Sequence, residues 1–195
     1  MNKSAPADLG LHPLIAQRWS PRAFLQDPIP AETIERLLDA AIWAASCFNE
    51  QPWRLLVADR GVDPQAHAAV TAALTGWNGQ WAPSAPVLLV CGHTTRFSHD
   101  DTPNRWAAHD LGQAMGNLSI QATAEGLALH AMGGFDADKL RESLAIPEEI
   151  ELVSVVAVGL AGPAELLQGG LHEREVAPRA RKSKDELVFR GRWSG

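Results

Sequence analysis

The sequence has little cysteine, no tyrosine and no long apolar run. Its two cysteines, Cys47 and Cys91, are too few for the disulfide scaffold of a small secreted domain, and they lack zinc-ligand spacing. No stretch approaches the roughly 18 uninterrupted apolar residues of a membrane helix, and the N-terminus lacks the apolar core of a signal peptide. We therefore expect a cytoplasmic protein with no membrane partner.

The chain also has no excess of positive charge. The formal net charge of −6 at pH 7 excludes the broad basic field that non-specific nucleic-acid binding requires. The fingerprints G-x-G-x-x-G and G-x-x-x-x-G-K-[ST] are also absent, so neither a Rossmann nor a P-loop nucleotide site is predicted. Any anion site must be built from a few local charges.

The composition is that of a folded chain, with 46% hydrophobic and 21% charged residues in 195 positions. We expect one domain over residues 1–195, with some extension. Apolar runs predict strands at "WRLLVAD", "APVLLVCG" and "IELVSVVAVGL", and three-to-four spacing predicts helices at "PIPAETIERLLDAAIWAA", "DPQAHAAVTAAL" and "ADKLRESLAI". Strands separated by helices indicate layers of sheet and helix, with the strand order left open.

The longest predicted helix covers residues 104–129, "NRWAAHDLGQAMGNLSIQATAEGLAL". Gly112 and Gly116 lie four residues apart on one of its faces, where another helix could approach closely. That neighbour could belong to the same chain or to a second copy. After Gly162 the chain loses its apolar density, so the remainder is either a disordered tail or an arm that packs on something else.

Two short basic groups lie near opposite ends of the chain. "QRWSPRAF" places Arg18 and Arg22 on either side of Ser20, and "PRARKSKDEL" contains Arg179 and Arg181. Each group alone is typical of an exposed polar surface. Together they could converge on one phosphate, since guanidinium groups bind phosphate oxygens in bidentate fashion.

Three further stretches carry candidate side chains. "AASCFNEQPW" holds Asn49 and Gln51 at a helix end, where two amides could match the mixed donor and acceptor edge of a heteroaromatic ring. Cys47 has no base nearby in sequence, so a packing role is favoured over a nucleophilic one. "HAMGGFD" pairs Gly133 with Gly134, which either forms an ordinary turn or lets a ligand approach the backbone.

Metal binding and acid-base catalysis are not favoured. "HTTRFSHDD" has the residue types of a metal site but lacks regular ligand spacing, so no metal is predicted. The adjacent His109 and Asp110 on the long helix are interpreted as a surface pair.

Taken in order, these stretches resemble the nitroreductase family of flavin enzymes. Arg18, Trp19, Ser20, Pro21 and Arg22 match its R-R-S-x-R pattern, with Trp19 replacing the second Arg. Residues 45–53 match its P-S-S-x-N-x-Q-P-W pattern, with Ala45 replacing Pro and Cys47 replacing Ser. "NGQWAPSAP", the long helix, "GGFD" and "RARKSKDELV" resemble later family segments, so the resemblance covers nearly the whole chain.

This resemblance implies an α+β fold with a mostly antiparallel sheet between helices. It also implies an intertwined homodimer in which an arm of about residues 163–195 packs on the partner subunit. Two FMN molecules would lie at the dimer interface, with the helix-end stretch of each subunit reaching the flavin of the other. The implied activity is ping-pong hydride transfer from NAD(P)H through FMN to a small-molecule electron acceptor such as a nitroaromatic or a quinone.

The same resemblance assigns roles to particular residues. Arg22 would stabilise the reduced flavin electrostatically, and no other catalytic side chain is expected because the cofactor carries the chemistry. A backbone N–H of Gly133 or Gly134 would face flavin N5. The cofactor-binding set is Arg18, Trp19, Ser20, Arg22, Ala45, Ser46, Cys47, Asn49, Gln51, Asn78, Gly133, Gly134, Arg179 and Arg181.

Three alternatives remain open at this stage. The chain could be a flavin-binding or flavin-free protein without catalysis, serving as a sensor or cofactor store. It could be a dimeric module that binds a different anion. It could also be a relative that desaturates or dehalogenates a dedicated substrate.

Overall fold

Residues 3–193, which the computed structural model describes, form a four-stranded sheet with helices on both faces. The strands are β1 (Trp53–Asp59), β2 (Val87–Thr94), β3 (Ala128–Met132) and β4 (Ile150–Gly159). Their order is β1-β2-β4-β3, and every neighbouring pair is antiparallel. The predicted α+β fold with an antiparallel sheet is therefore confirmed.

The described residues contain eight α-helices and four short 3-10 turns. The helices are α1 (Pro13–Gln17), α2 (Ala31–Ile42), α3 (Pro64–Ala73), α4 (Asn78–Trp81), α5 (Ala107–Ala124), α6 (Ala137–Leu144), α7 (Gly169–Val176) and α8 (Lys184–Leu187). The 3-10 turns are Ala7–Leu9, Cys47–Asn49, Ala82–Ser84 and Ala164–Leu166. Within residues 3–193, no helix has the length and apolar character needed to cross a membrane.

Strand β2 lies at the centre of the core because both of its faces are apolar. Leu89 and Cys91 pack with α2 and α5 on one face, while Leu88 and Val90 pack with α3 and α6 on the other. Burial of the Cys91 thiol raises its pKa to about 12, which leaves it a packing group. A continuous apolar run is typical of a strand covered on both sides.

Local sequence signals explain where α3 begins. The Asp63 side chain accepts a hydrogen bond from the Ala66 amide at 2.9 Å, and Pro64 occupies the first helical position. This cap satisfies a backbone donor that would otherwise lack a partner at the helix N-terminus. The prediction for this segment is confirmed.

The predicted helix over residues 104–129 is wrong at its C-terminal end. Helix α5 ends at Ala124, Gly126 adopts a φ of 76°, and β3 follows as a strand that the sequence analysis missed. The amides of Gly126 and Leu127 donate to the carbonyls of Thr123 and Ala122, which is the hydrogen-bond pattern of a glycine-terminated helix. Alanines on both sides of Gly126 extend the apolar pattern and conceal this stop.

The segment after Gly162 lies partly against its own chain. Leu171 and Glu175 of α7 are buried, and the Arg174 guanidinium lies 4.3 Å from the ring centroid of Trp77. The residues after Val176 are mostly exposed, so the predicted arm is confined to this shorter stretch. Its packing on a partner subunit stays a prediction.

Candidate functional site

The two basic groups converge on one cleft of about 270 Å³. Arg18 and Arg22 reach it from the segment after α1, and Arg179 and Arg181 reach it from the segment after α7. Ser20 also lines the cleft and accepts a hydrogen bond from Arg18 Nη1 at 3.2 Å. The convergence proposed from the sequence is therefore present in a single chain.

The arginines of this basic cleft have no carboxylate partners. Within residues 3–193, neither these four nor Arg174, which also lines the cleft, forms an ion pair. Burial, followed by repulsion from Arg179 and Arg181, lowers the pKa of Arg18; burial and then Arg181 lower the pKa of Arg179. Partly desolvated cations that repel one another create a strong local preference for an anion.

Glu175 lines the cleft but neutralises none of its guanidinium groups directly. Its carboxylate is buried and accepts hydrogen bonds from the backbone amides of Arg22 at 2.9 Å and Ala23 at 3.3 Å. Glu175 thereby holds the turn that presents Arg22. This role of Glu175 was not predicted from the sequence, because "HEREV" has the pattern of a solvated helix.

Arg179 also joins the segment after α7 to the N-terminal segment around Lys3 and Ala16. Its Nη1 donates to the backbone carbonyls of Lys3 at 2.6 Å and Ala16 at 3.1 Å. The Lys3 ammonium in turn donates to the Ala177 carbonyl. Of the five guanidinium donors, those on Nη2 and Nε of Arg179 have no acceptor within residues 3–193, so they remain available to an anion.

The glycine pair lies in the irregular segment that follows β3, and α4 holds this segment in place. The Gly134 carbonyl accepts hydrogen bonds from the Asn78 side-chain amide and the Thr75 backbone, both at 3.1 Å. A Cβ on Gly134 would lie 2.9 Å from Asn78 Nδ2, whereas a Cβ on Gly133 would meet no atom within 4 Å. The absence of a side chain at Gly134 therefore allows the close contact with Asn78, whereas Gly133 faces open space.

His130 connects this glycine segment to the basic cleft, a role that was not predicted from the sequence. Its Nδ1–H donates to the Pro21 carbonyl at 2.7 Å, and its ring centroid lies 4.5 Å from that of Trp81 in α4. Burial, reinforced by Arg22 and Arg18, lowers the pKa of His130 to about 4 despite the hydrogen bond to Pro21. A neutral imidazole therefore supports the Ser20–Arg22 turn at physiological pH.

The helix-end stretch lines a different cavity. Ala45, Ser46 and Cys47 border a space of about 300 Å³ together with Asp110 and other residues of the α5 N-terminal region. This cavity shares no lining residue with the basic cleft. Within one chain, the arginines proposed to bind phosphate therefore lie together, whereas residues 45–51 lie in a separate place.

The interpretation of His109 and Asp110 as a surface pair is wrong for Asp110. Its carboxylate is buried, accepts a hydrogen bond from the Cys47 amide at 2.9 Å and lies 3.1 Å from His109 Nδ1. Asp110 faces inward because it lies in the first turn of α5, directly against the 45–51 stretch. The spacing of the two residues along the helix gave no sign of that contact.

The 45–51 stretch has a strained backbone. Phe48, Asn49 and Gln51 have φ values of 54°, 56° and 53°, a region that costs energy for a bulky side chain such as Phe. Ser46 Oγ accepts from the Gln51 amide at 3.0 Å, and Gln51 Nε2 donates to the Asn49 carbonyl at 3.1 Å. The Gln51 amide group thus stabilises the loop itself, while the Asn49 side chain is exposed.

The histidines and aspartates of "HTTRFSHDD" lie in separate environments. His93 is buried, with Nδ1 2.9 Å from the Thr94 carbonyl, whereas the exposed His99 lies 4.0 Å from the Glu50 carboxylate. Asp100 accepts two hydrogen bonds from Thr102. Across residues 3–193, no three His, Cys, Asp or Glu side chains are grouped to hold a metal ion.

Protonation of His130 should make stability depend on pH. Its pKa is about 4 in the folded chain and about 6.5 when unfolded, so the unfolded state binds more protons between these values. Stability should therefore fall as the pH drops from about 6.5 to 4, by roughly 2–3 kcal/mol from this group. His130→Asn retains a donor but does not titrate, so urea unfolding at pH 7 and pH 4.5 should show a smaller loss. An equal loss in both proteins would contradict the assignment.

Comparison with known proteins agrees with the motifs and the fold. A model of the nitroreductase family matches residues 15–160. An uncharacterized 15.4 kDa protein in the ask 5′ region of Mycolicibacterium smegmatis is 32% identical over 72% of this chain and 97% of its own length. An NADH dehydrogenase of Thermus thermophilus is 27% identical over 76% of this chain and 84% of its own. A solved oxidoreductase containing FMN is 35% identical, covers 100% of this chain and 98% of its own, and superposes with a TM-score of 0.91. The chain therefore belongs to the nitroreductase family of oxidoreductases.

Proposed function

We propose that the protein is an FMN-dependent NAD(P)H oxidoreductase that acts as a homodimer and reduces a small organic acceptor. The observation that carries the proposal is the basic cleft, in which four arginines converge without an ion pair among the described residues. The FMN of the 35% identical solved structure supports the choice of cofactor, and the name of the Thermus relative supports NADH as a reductant.

The residues of the cleft fit the phosphate end of FMN. A phosphate monoester carries close to two negative charges near neutral pH and offers three acceptor oxygens. Arg18, Arg179 and Arg181 supply guanidinium donors from two sides, and the Ser20 hydroxyl is a further hydrogen-bonding group. An anion that relieves repulsion among these cations is stabilised by all of them.

The glycine segment that follows β3 fits the ring end of the cofactor. His130 contacts Pro21, and Gly133 lies three residues further along the chain, roughly 10 Å at the rise of an extended strand. The open space beside Gly133 lets a flat ring approach its backbone.

FMN when bound supplies the chemistry, taking hydride from NAD(P)H and passing electrons to the acceptor. The protein contributes the binding site for the cofactor and the electrostatic field around it. Arg22, half-buried at the cleft, would supply positive charge that stabilises the negative charge of a bound reduced flavin. Trp81 and the neutral His130 keep the Ser20–Arg22 turn fixed.

A homodimer would complete the site. The residue 45–51 stretch lies apart from the basic cleft within one chain, so we infer that Ser46, Cys47 and Asn49 of each protomer serve the FMN of the other. A Cβ at Gly112 or Gly116 would meet no atom within 4 Å, which leaves this face of α5 free for a partner helix. Leu187, Val188 and Trp193 are exposed in one chain and would be covered if the arm crossed to the partner.

The proposal treats residues 1–195 as one FMN-binding domain with this arm. It assigns a ping-pong cycle with nitroaromatic or quinone acceptors. A flavin-binding protein without catalysis, and a relative with a dedicated substrate, remain the competing hypotheses. Both retain the phosphate cleft, so only redox measurements separate them from the leading function.

The first test follows the visible spectrum of the full-length protein with FMN under anaerobic conditions. Addition of NADH or NADPH should bleach the flavin bands, and a subsequent quinone or nitroaromatic should restore them. Flavin bands that neither nucleotide bleaches would favour a non-catalytic flavin binder. Reduction by a nucleotide without reoxidation by any acceptor in the panel would favour a dedicated substrate.

FMN binding to the full-length protein is then compared between two arginine variants, one inside the cleft and one outside it. Arg181→Ala removes a cation from the cleft and should weaken FMN binding about tenfold or more, because hydrogen bonds to charged groups contribute about 1.5–3 kcal/mol. Arg36→Ala removes the same charge from an exposed position on α2, outside the cleft and the arm, and should leave binding unchanged. Equal FMN affinity in both variants would contradict the assignment of the cleft.

The dimer is tested at the open face of α5. Gly116→Leu should prevent close helix approach and shift the protein toward monomer in sedimentation analysis, with loss of FMN binding. It should not destabilise the isolated fold, because the added side chain meets open space and Leu favours helix more than Gly does. Glu142→Leu on the exposed side of α6 is the control and should leave the dimer intact. A dimeric Gly116→Leu protein would overturn this interface.

A further inference from the structure

Lys3 is a buried cation near the basic cleft that the sequence motifs do not explain. It is 8% exposed and lines the same cleft as Arg18, Arg22 and Arg181. Lysine is almost never fully buried unless it is paired. No carboxylate within residues 3–193 forms an ion pair with it.

The groups that hold Lys3 are neutral. Its ammonium donates to the Ala177 carbonyl and lies 5.7 Å from the ring centroid of Trp19. The electron-rich face of an indole attracts a cation but does not cancel its charge. The main chain of Lys3 is fixed separately, because its carbonyl accepts a hydrogen bond from Arg179. Backbone and side chain are both anchored, so the charge is held at the cleft.

Trp19 explains why a cation from elsewhere in the chain is useful here. An indole occupies the position between Arg18 and Ser20, where it can donate no charge to an anion. The ring instead provides the surface beside which the Lys3 ammonium is held. Lys3 of the N-terminal segment thus supplies the cleft with a positive charge that Trp19 cannot supply.

We propose that Lys3 is a binding residue for the phosphate of FMN and that, with Trp19 as its support, it increases the preference for FMN over riboflavin. This inference rests on the proposed function. It goes further by assigning to the phosphate end of the site a lysine that belongs to neither of the two arginine groups.

The test compares FMN with riboflavin, which lacks the phosphate, by fluorescence titration of the full-length protein. Lys3→Met should weaken FMN binding about tenfold to a hundredfold, as expected for loss of a charge-assisted hydrogen bond. Riboflavin binding should change less than about twofold, since that ligand offers the ammonium no anion. Lys3→Arg should retain the preference for FMN.

Two further variants separate charge from packing. Lys139→Met is the matched control, because Lys139 also donates to a backbone carbonyl, that of Ala72, but lies on α6 outside the cleft. It should leave both affinities unchanged. The double variant Lys3→Met/Trp19→Arg returns a cation through position 19 and should recover much of the lost FMN affinity.

The outcomes distinguish this inference from the function on which it rests. Equal weakening of FMN and riboflavin in Lys3→Met would show that Lys3 only packs the N-terminal segment, and unchanged affinity for both would show that it makes no contribution. Either result overturns the inference while leaving FMN binding by the wild type intact. A wild-type protein that binds neither flavin would overturn the proposed function itself.

Discussion

Repulsion among like charges at the basic cleft is the constraint on which the site depends. Arg18, Arg22, Arg179 and Arg181 converge without a carboxylate partner among the described residues, although mutual repulsion and burial both oppose this arrangement. The arrangement persists because other groups fix the backbone that carries the cations. Glu175 binds the amides at the start of the Arg22 turn, and Arg179 binds carbonyls of the N-terminal segment.

The sheet and its surrounding helices supply the rigid support for this cleft. Strand β3 is paired with β4 and carries His130, which donates a hydrogen bond to the Pro21 carbonyl; the glycine segment follows directly after this strand. Helix α4 contacts both features, since Trp81 packs on His130 and Asn78 holds Gly134. The arginines of the basic cleft and the glycine segment are therefore connected through these contacts. The 45–51 stretch belongs to another, anchored by Asp110 at the start of α5.

Sequence patterns predicted the parts of this structure that depend on local chemistry. The apolar run of β2 and the Asp63–Pro64 cap of α3 are local signals, and both appear as expected. Strand β3 was missed because its pairing with β4 is a tertiary interaction, and because alanines around Gly126 continue a helical pattern. Glu175, His130 and Lys3 were missed for a related reason. Their partners lie far away in the sequence, so their surroundings appear only in the folded chain.

The central claim is that the convergent cations bind the phosphate of FMN as a dianion. The most direct measurement is the phosphorus-31 chemical shift of protein-bound FMN as a function of pH. A free phosphate monoester takes up its first proton near pH 6, whereas the cleft should hold bound phosphate fully ionised well below that pH, because nearby cations favour the charged form. A shift that stays constant from about pH 7.5 to 5 is the predicted result. A bound phosphate that titrates near pH 6 like the free cofactor would contradict the account.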